Sequence, residues 1–213
     1  RILLNNIYGV DIDNQAVEVT KLSLSLKVLE GESDETLKRQ LSFVHDRALP
    51  DLGQNIKCGN SLIGPDYFAG QLMPDDEEMR RVNPFDWKAE FPAIMKAGGF
   101  DAVIGNPPYV RQERIPAALL SEYRARFNTL YDRADLYVPF YERALDLLKS
   151  DGTLGFICAN RWLKNKYGGP LRNKIASGFH VTHFIDMEGV DAFHADVIAY
   201  PAITIIRRPA PPG

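Results

Sequence analysis

The sequence predicts an open α/β sheet, mostly parallel, with helices on both faces and an antiparallel strand near the C-terminus. Three observations carry that class. Short apolar runs suited to buried strands alternate with stretches of helical spacing along most of the 213 residues. Three successive runs end in polar groups, at Asp11-Ile12-Asp13, at Asn60 and at Asn106, and ligands of such sheets bind beyond the carboxyl ends of strands. The last two runs are joined without a long helix, which turns one of them antiparallel.

The elements follow in order. Residues 7–11 form an apolar run ending in acid and read as a buried strand. Residues 14–29 carry Val17, Leu22, Leu24, Leu26, Val28 and Leu29, a helix expected to be buried on most sides and stopped by Gly31. A polar stretch with a short helix at 36–43 leads to a turn at 49–53, and residues 55–58 make a second strand. Residues 65–99 read as an insertion, a surface excursion with an acidic run at 75–78 and aromatics that pack it down. A third strand at 100–105 runs into Asn106-Pro107-Pro108-Tyr109. Helices are expected at 116–127, at 135–149 with Leu136, Phe140, Ala144, Leu147 and Leu148 on one face, and at 171–177. Strands are expected at 153–159, 180–186 and 202–207, before a proline-rich tail at 209–213.

Composition narrows the function classes. A formal net charge of −3 is not the basic footprint of a stand-alone nucleic-acid binder, so phosphate contacts would need a local basic patch or another part of the protein. Cys58 and Cys158 lie in no metal-ligand or Cys-x-x-Cys spacing and read as reduced thiols, which suits a cytoplasmic protein. His45, His180, His183 and His194 show no ligand spacing, so no metal is expected. No apolar run reaches membrane-spanning length. The chain opens on Arg1 inside an apolar stretch, which reads as an excised piece.

The strand ends carry the chemistry. Asp11, at a strand end, suits a ribose diol, while Asp13 suits a helix N-cap. Ile12 could lie on a flat ring, and Asn60, donor and acceptor at once, could pair with a ring edge or simply close a turn. Asn106-Pro107-Pro108-Tyr109 is the specific signal. Two prolines remove two backbone donors and fix φ, leaving a stiff corner rich in acceptors. The Asn106 side-chain oxygen and the Pro107 carbonyl can then take both hydrogens of one planar exocyclic amine. Such an amine is a poor nucleophile, and holding its hydrogens favours the pyramidal nitrogen of the transition state. Tyr109 offers a face on which a base can stack, worth about 1–3 kcal/mol.

With these motifs the sequence resembles the amino-methyltransferases of DNA, in particular the adenine-N6 class of type IIG restriction–modification and phage-defence enzymes. The resemblance rests on Ile7-Tyr8-Gly9-Val10-Asp11-Ile12-Asp13, on Asn55-Ile56-Lys57-Cys58-Gly59-Asn60-Ser61-Leu62, and on residues 100–110 with their Asn-Pro-Pro-Tyr core. Asp135-Leu136-Tyr137 and Gly152-Thr153-Leu154-Gly155-Phe156-Ile157 follow in the family's order. It implies a Rossmann-like, S-adenosylmethionine-dependent methyltransferase sheet over residues 1–208. Asp11, Ile12, Asn60 and Ser61 would hold that cofactor, and Asn106, Pro107, Pro108 and Tyr109 would form the catalytic corner. Phe193 would be a second aromatic on the base, with Phe184 and Tyr200 as rivals. The implied partner is double-stranded DNA with its target adenine flipped out. The family's first strand and its Phe-x-Gly-x-Gly cofactor loop are not in the chain and are expected upstream of Arg1. A DNA-recognition domain, and in some members a nuclease, are expected in the rest of the parent.

Two other functions share parts of this pattern: methylation of protein glutamine or RNA adenine, and a non-catalytic interaction domain that keeps the fold. A chain without the glycine loop should bind S-adenosylmethionine poorly. Calorimetric titration of the isolated chain is expected to show no micromolar binding, and a micromolar dissociation constant would overturn that expectation.

Overall fold

The computed structural model describes residues 2–29, 51–69, 75–187 and 201–210. The chain divides into two compact units, residues 1–86 and 87–213, with the boundary inside the stretch expected as an insertion. The expected helix at 36–43, the stop at Gly31 and Phe193 lie outside the described residues.

The first unit contains α1 (Ile2–Asn6), β1 (Gly9–Asp11), α2 (Asn14–Leu29), β2 (Ile56–Cys58) and α3 (Asp76–Val82). β1 and β2 pair in parallel, Gly9 with Ile56 and Asp11 with Cys58. The first strand is shorter than expected because the Ile7 amide still bonds the Leu3 carbonyl of α1, and buried Asn55 ties that turn down. Its side-chain amide donates to the Leu4 and Ile7 carbonyls, both at 2.9 Å. α2 corrects the expectation of a helix buried on most sides. Val17 and Ser25 are buried, whereas Val19, Leu22 and Leu26 stand 50–62% exposed. Among the described residues the β1–β2 pair covers one stripe of the helix, and Val17 packs there with Leu52 and Ile56. The acidic run at 75–78 is the capped start of α3. Asp75 accepts from the Glu77 and Glu78 amides, and the acids that follow oppose the helix dipole.

The second unit contains α4 (Trp87–Glu90), α5 (Pro92–Lys96), β3 (Phe100–Gly105), α6 (Ala117–Arg126), α7 (Tyr137–Asp146), β4 (Leu148–Ala159), α8 (Arg161–Lys164), α9 (Gly169–Gly178), β5 (His180–Asp186) and β6 (Pro201–Arg207). Strand order is β3-β4-β6-β5. β3 pairs with β4 in parallel, while β6 is antiparallel to both β4 and β5. Hence β3, β4 and β5 run one way and β6 is the reversed strand. Trp87, Phe91 and Phe100 pack ring to ring with centroids 5.9–6.0 Å apart, seating the end of the 65–99 stretch against β3.

Two boundaries differ from expectation. α7 ends at Asp146, and β4 begins at Leu148, because Leu148 already pairs with Phe100. The ladder resumes at Ala102 and Thr153 after Asp151, which sits at φ 69° and is gripped by Arg207 at 2.6 Å. α7 buries Tyr137, Val138, Tyr141, Ala144 and Leu145, with Phe140 only half-buried, so its inward face is rotated from the expected one. From Gly152 the inner positions of β4 (Leu154, Phe156 and Cys158) are buried, as a central strand requires. Among the described residues β3 stands at one end of its sheet, and its Ile104 is 86% exposed.

Gly99 precedes β3 at φ 120°, and a Cβ there would run into the Leu147 carbonyl. Gly99→Ala is therefore expected to cost about 2–3 kcal/mol. Denaturant unfolding should show a lower midpoint at unchanged slope, and an unaltered midpoint would contradict the assigned turn.

Candidate active site

In the first unit, parallel pairing places the ends of β1 and β2 on one edge. Asp13 caps α2, its Oδ1 accepting from the Gln15 amide at 2.8 Å. Asp11 is exposed, and its Oδ1 takes the Asp13 amide at 2.8 Å. Its second oxygen, Oδ2, accepts no hydrogen bond among the described residues. Ile12, beside it, is 54% exposed. Asn60 is 5% exposed, and its side-chain oxygen accepts from the Leu62 amide at 3.1 Å. Its oxygen thus closes a turn rather than facing outward, and Ser61 sits half-buried within that turn.

In the second unit, β3 delivers Asn106, Pro107, Pro108 and Tyr109 together at its carboxyl end. Asn106 is exposed and Pro107 is buried. Neither the Asn106 amide nor the Pro107 carbonyl makes a hydrogen bond among the described residues. Tyr109 is 38% exposed, so part of its ring remains open. Burial pushes its phenol up to about 12, with the nearby Cys158 thiol adding to the effect, and the ring is neutral at physiological pH.

The loop beyond this corner is fastened at two points. The Leu136 amide donates to the Val110 carbonyl at 2.9 Å. Arg124 donates to the Gln112 side chain at 2.9 Å and to the Asp132 carbonyl at 3.3 Å. The Asp135 carboxyl is raised by burial, an effect opposed by Arg161 and Arg111 and reinforced by Glu113. Beneath lies an aromatic stack, with Tyr141 centred 5.0 Å from Phe156 and 5.5 Å from Trp162.

Asp11, Ile12, Asn60 and Ser61 thus share one strand edge of the first unit, and Asn106, Pro107, Pro108 and Tyr109 share one corner of the second. Phe193 and Tyr200 lie outside the described residues, while Phe184 lies on β5 and is 40% exposed. Among the described residues no cluster of His, Cys, Asp or Glu could hold a metal ion, and no helix is long and apolar enough to cross a membrane.

Sequence reasoning passed over the segment after β4. In Arg161-Trp162-Leu163-Lys164-Asn165-Lys166-Tyr167, Trp162 and Tyr167 are buried while Lys164 and Lys166 are exposed. Its legible signal was a run of three cations without an acid, directly after a strand.

A family model described as Eco57I restriction-modification methylase matches residues 5–193. The Type II methyltransferase M.XhoI of Xanthomonas vasicola is 65% identical over 112 residues, 53% of this chain and 20% of that protein. The Type II restriction enzyme and methyltransferase RM.Eco57I of Escherichia coli is 32% identical over 195 residues, 90% of this chain and 18% of that protein. The solved structure of the ATP-dependent Type ISP restriction-modification enzyme LlaBIII bound to DNA aligns with 99% of this chain and 14% of its own. Its identity is 13% and its TM-score 0.59, a likeness of fold. The chain spans about a fifth of the length of the curated relatives it matches.

Cys158 is 1% exposed, and burial pushes its thiol up to about 12. At pH 8 the native chain should leave Cys158 unalkylated by iodoacetamide and the denatured chain should label it. Peptide mass spectrometry reads the difference, and fast native labelling would contradict the packing beneath Tyr109.

Proposed function

The chain belongs to the Eco57I restriction-modification methylase family, and from that premise we propose that it is the catalytic part of an enzyme that methylates the exocyclic amine of adenine in double-stranded DNA. S-adenosylmethionine is the proposed methyl source. The bare acceptor pair of Asn106 and Pro107 carries the proposal. An exposed amide and a carbonyl on a corner with two prolines have no internal donor to satisfy them, so a substrate amine supplies one. Their hold tightens as the nitrogen pyramidalises, and this differential is what lowers the barrier. Tyr109, neutral and part-exposed, stacks on the base, which must leave the duplex to reach the corner. Phe193 is the proposed second aromatic. No protein nucleophile is required.

The residues of the first unit fit the cofactor. Asp11 keeps one carboxylate oxygen open at a strand end for ribose hydroxyls, and Ile12 offers an exposed apolar face for an adenine ring. Asn60 and Ser61 support this edge by fixing the turn after β2. When bound, S-adenosylmethionine supplies an electrophilic methyl group. Recognition of a DNA sequence is assigned to other parts of the longer parent protein.

Asn106→Ala in the full-length parent should lower methylation by at least about a hundredfold while leaving the unfolding transition in place. Nucleoside mass spectrometry of methylated DNA reads both the rate and the product. An unchanged rate removes the acceptor mechanism, and N4-methylcytosine as product removes adenine.

A further inference from the structure

We infer that the loops leaving β3 and β4 form a rigid basic collar that grips DNA phosphates flanking the acceptor corner. The inference rests on the proposed DNA substrate and deepens it by naming the residues that hold the backbone.

The geometry begins with the parallel register. Gly105 pairs with Phe156, so the loops after β3 and β4 leave the sheet on the same edge. The first carries Arg111 and Arg114, and the second carries Arg161, Lys164 and Lys166. Glu113 is the one acid within residues 106–116 and 160–168, in a chain whose formal charge is −3. The two loops therefore carry net positive charge beside the acceptor corner, with Asp135 and Asp186 the acids that face them from neighbouring elements. Arg111 and Arg161 both act on the Asp135 carboxyl, which links the two loops electrostatically. Arg114, Lys164 and Lys166 are exposed and enter no ion pair among the described residues.

The second loop is built, not slack. Trp162 is 1% exposed, and Tyr167 is buried with its hydroxyl 2.9 Å from that of Tyr137 on α7. Arg172 of α9 donates to the Trp162 carbonyl at 2.5 Å and to the Asn165 carbonyl at 2.9 Å. Gly168 passes so close that a Cβ would overlap the Trp162 carbonyl. Two inward aromatic anchors thus bracket two outward lysines. A loop that receives phosphates gains from that fastening, since little backbone entropy is lost on binding. The partner that fits two cation-bearing loops leaving the sheet beside an acceptor corner is a polyanion.

The test uses the full-length parent and DNA duplexes with and without its target sequence. For Lys164→Ala/Lys166→Ala, the slope of log affinity against log salt should become shallower by about one per lysine on both duplexes. Affinity near 0.1 M salt should fall about fiftyfold. Lys164→Arg/Lys166→Arg should restore both, which a purely structural role for the side chains would not produce. Wild-type slope and affinity in the alanine variant overturn the collar, even if the parent methylates adenine. If the parent binds DNA with the lost slope yet forms no N6-methyladenine, the collar stands and the proposed reaction falls.

Discussion

Parallel pairing of β3 with β4 is the constraint on which the second unit depends. Because Gly105 faces Phe156 in a parallel ladder, the turn after β3 and the loop after β4 must emerge side by side. An antiparallel neighbour would have sent one of them to the far edge. The reversed strand of the unit, β6, pairs with the other side of β4, away from this junction. Tyr141 then locks helix α7 to this junction from the β4 side, touching Phe156 on the strand and Trp162 in the segment after it. One buried ring thereby couples the sheet, the helix and the surface that carries the lysines.

The corner itself shows why proline is used at a strand end. A strand that stops at Gly105 must do something with its next polar groups, and an ordinary turn would pair them with one another. Pro107 and Pro108 supply no backbone donor, so the turn cannot close on itself. The acceptors of Asn106 and Pro107 stay open, while the Pro107 ring is buried and anchors the segment. Stability is taken from the apolar ring, while the Asn106 side chain stands exposed at the surface.

The local pattern carried some of this and not the rest. The Asn-Pro-Pro-Tyr corner was legible because proline chemistry is local and needs no knowledge of neighbours. The cap at Asp13 was legible for the same reason. Burial was less so. The apolar run of α2 reads as a helix buried on most sides, yet among the described residues its cover is the β1–β2 pair, which the run itself does not encode. Leu147 and Leu148 continue the spacing of α7, but pairing of Leu148 with distant Phe100 claims it for β4. The cations after β4 were legible as a run, but the order of that segment was not, because it comes from Tyr137 and Arg172, which lie before and after it in the chain.

Hydrogen-bond accounting separates the polar groups that build this protein from those left to act. Asn55 is buried and spends its amide on two carbonyls of the opening helix and turn. Asp75 and Asp13 spend their oxygens on helix amides. Asn60, which by residue type alone resembles a ligand contact, has its oxygen committed to Leu62. Asp11 divides itself, one oxygen fixed by the Asp13 amide and the other open beside exposed Ile12. A carboxylate oriented in that way by its own backbone does not have to be ordered again when a ligand arrives. Asn106 stands at the far end of the scale, positioned by a stiff backbone and satisfied by no group of the described residues. Groups held in place yet left open are those whose free energy a substrate can still claim, and here they sit at strand ends.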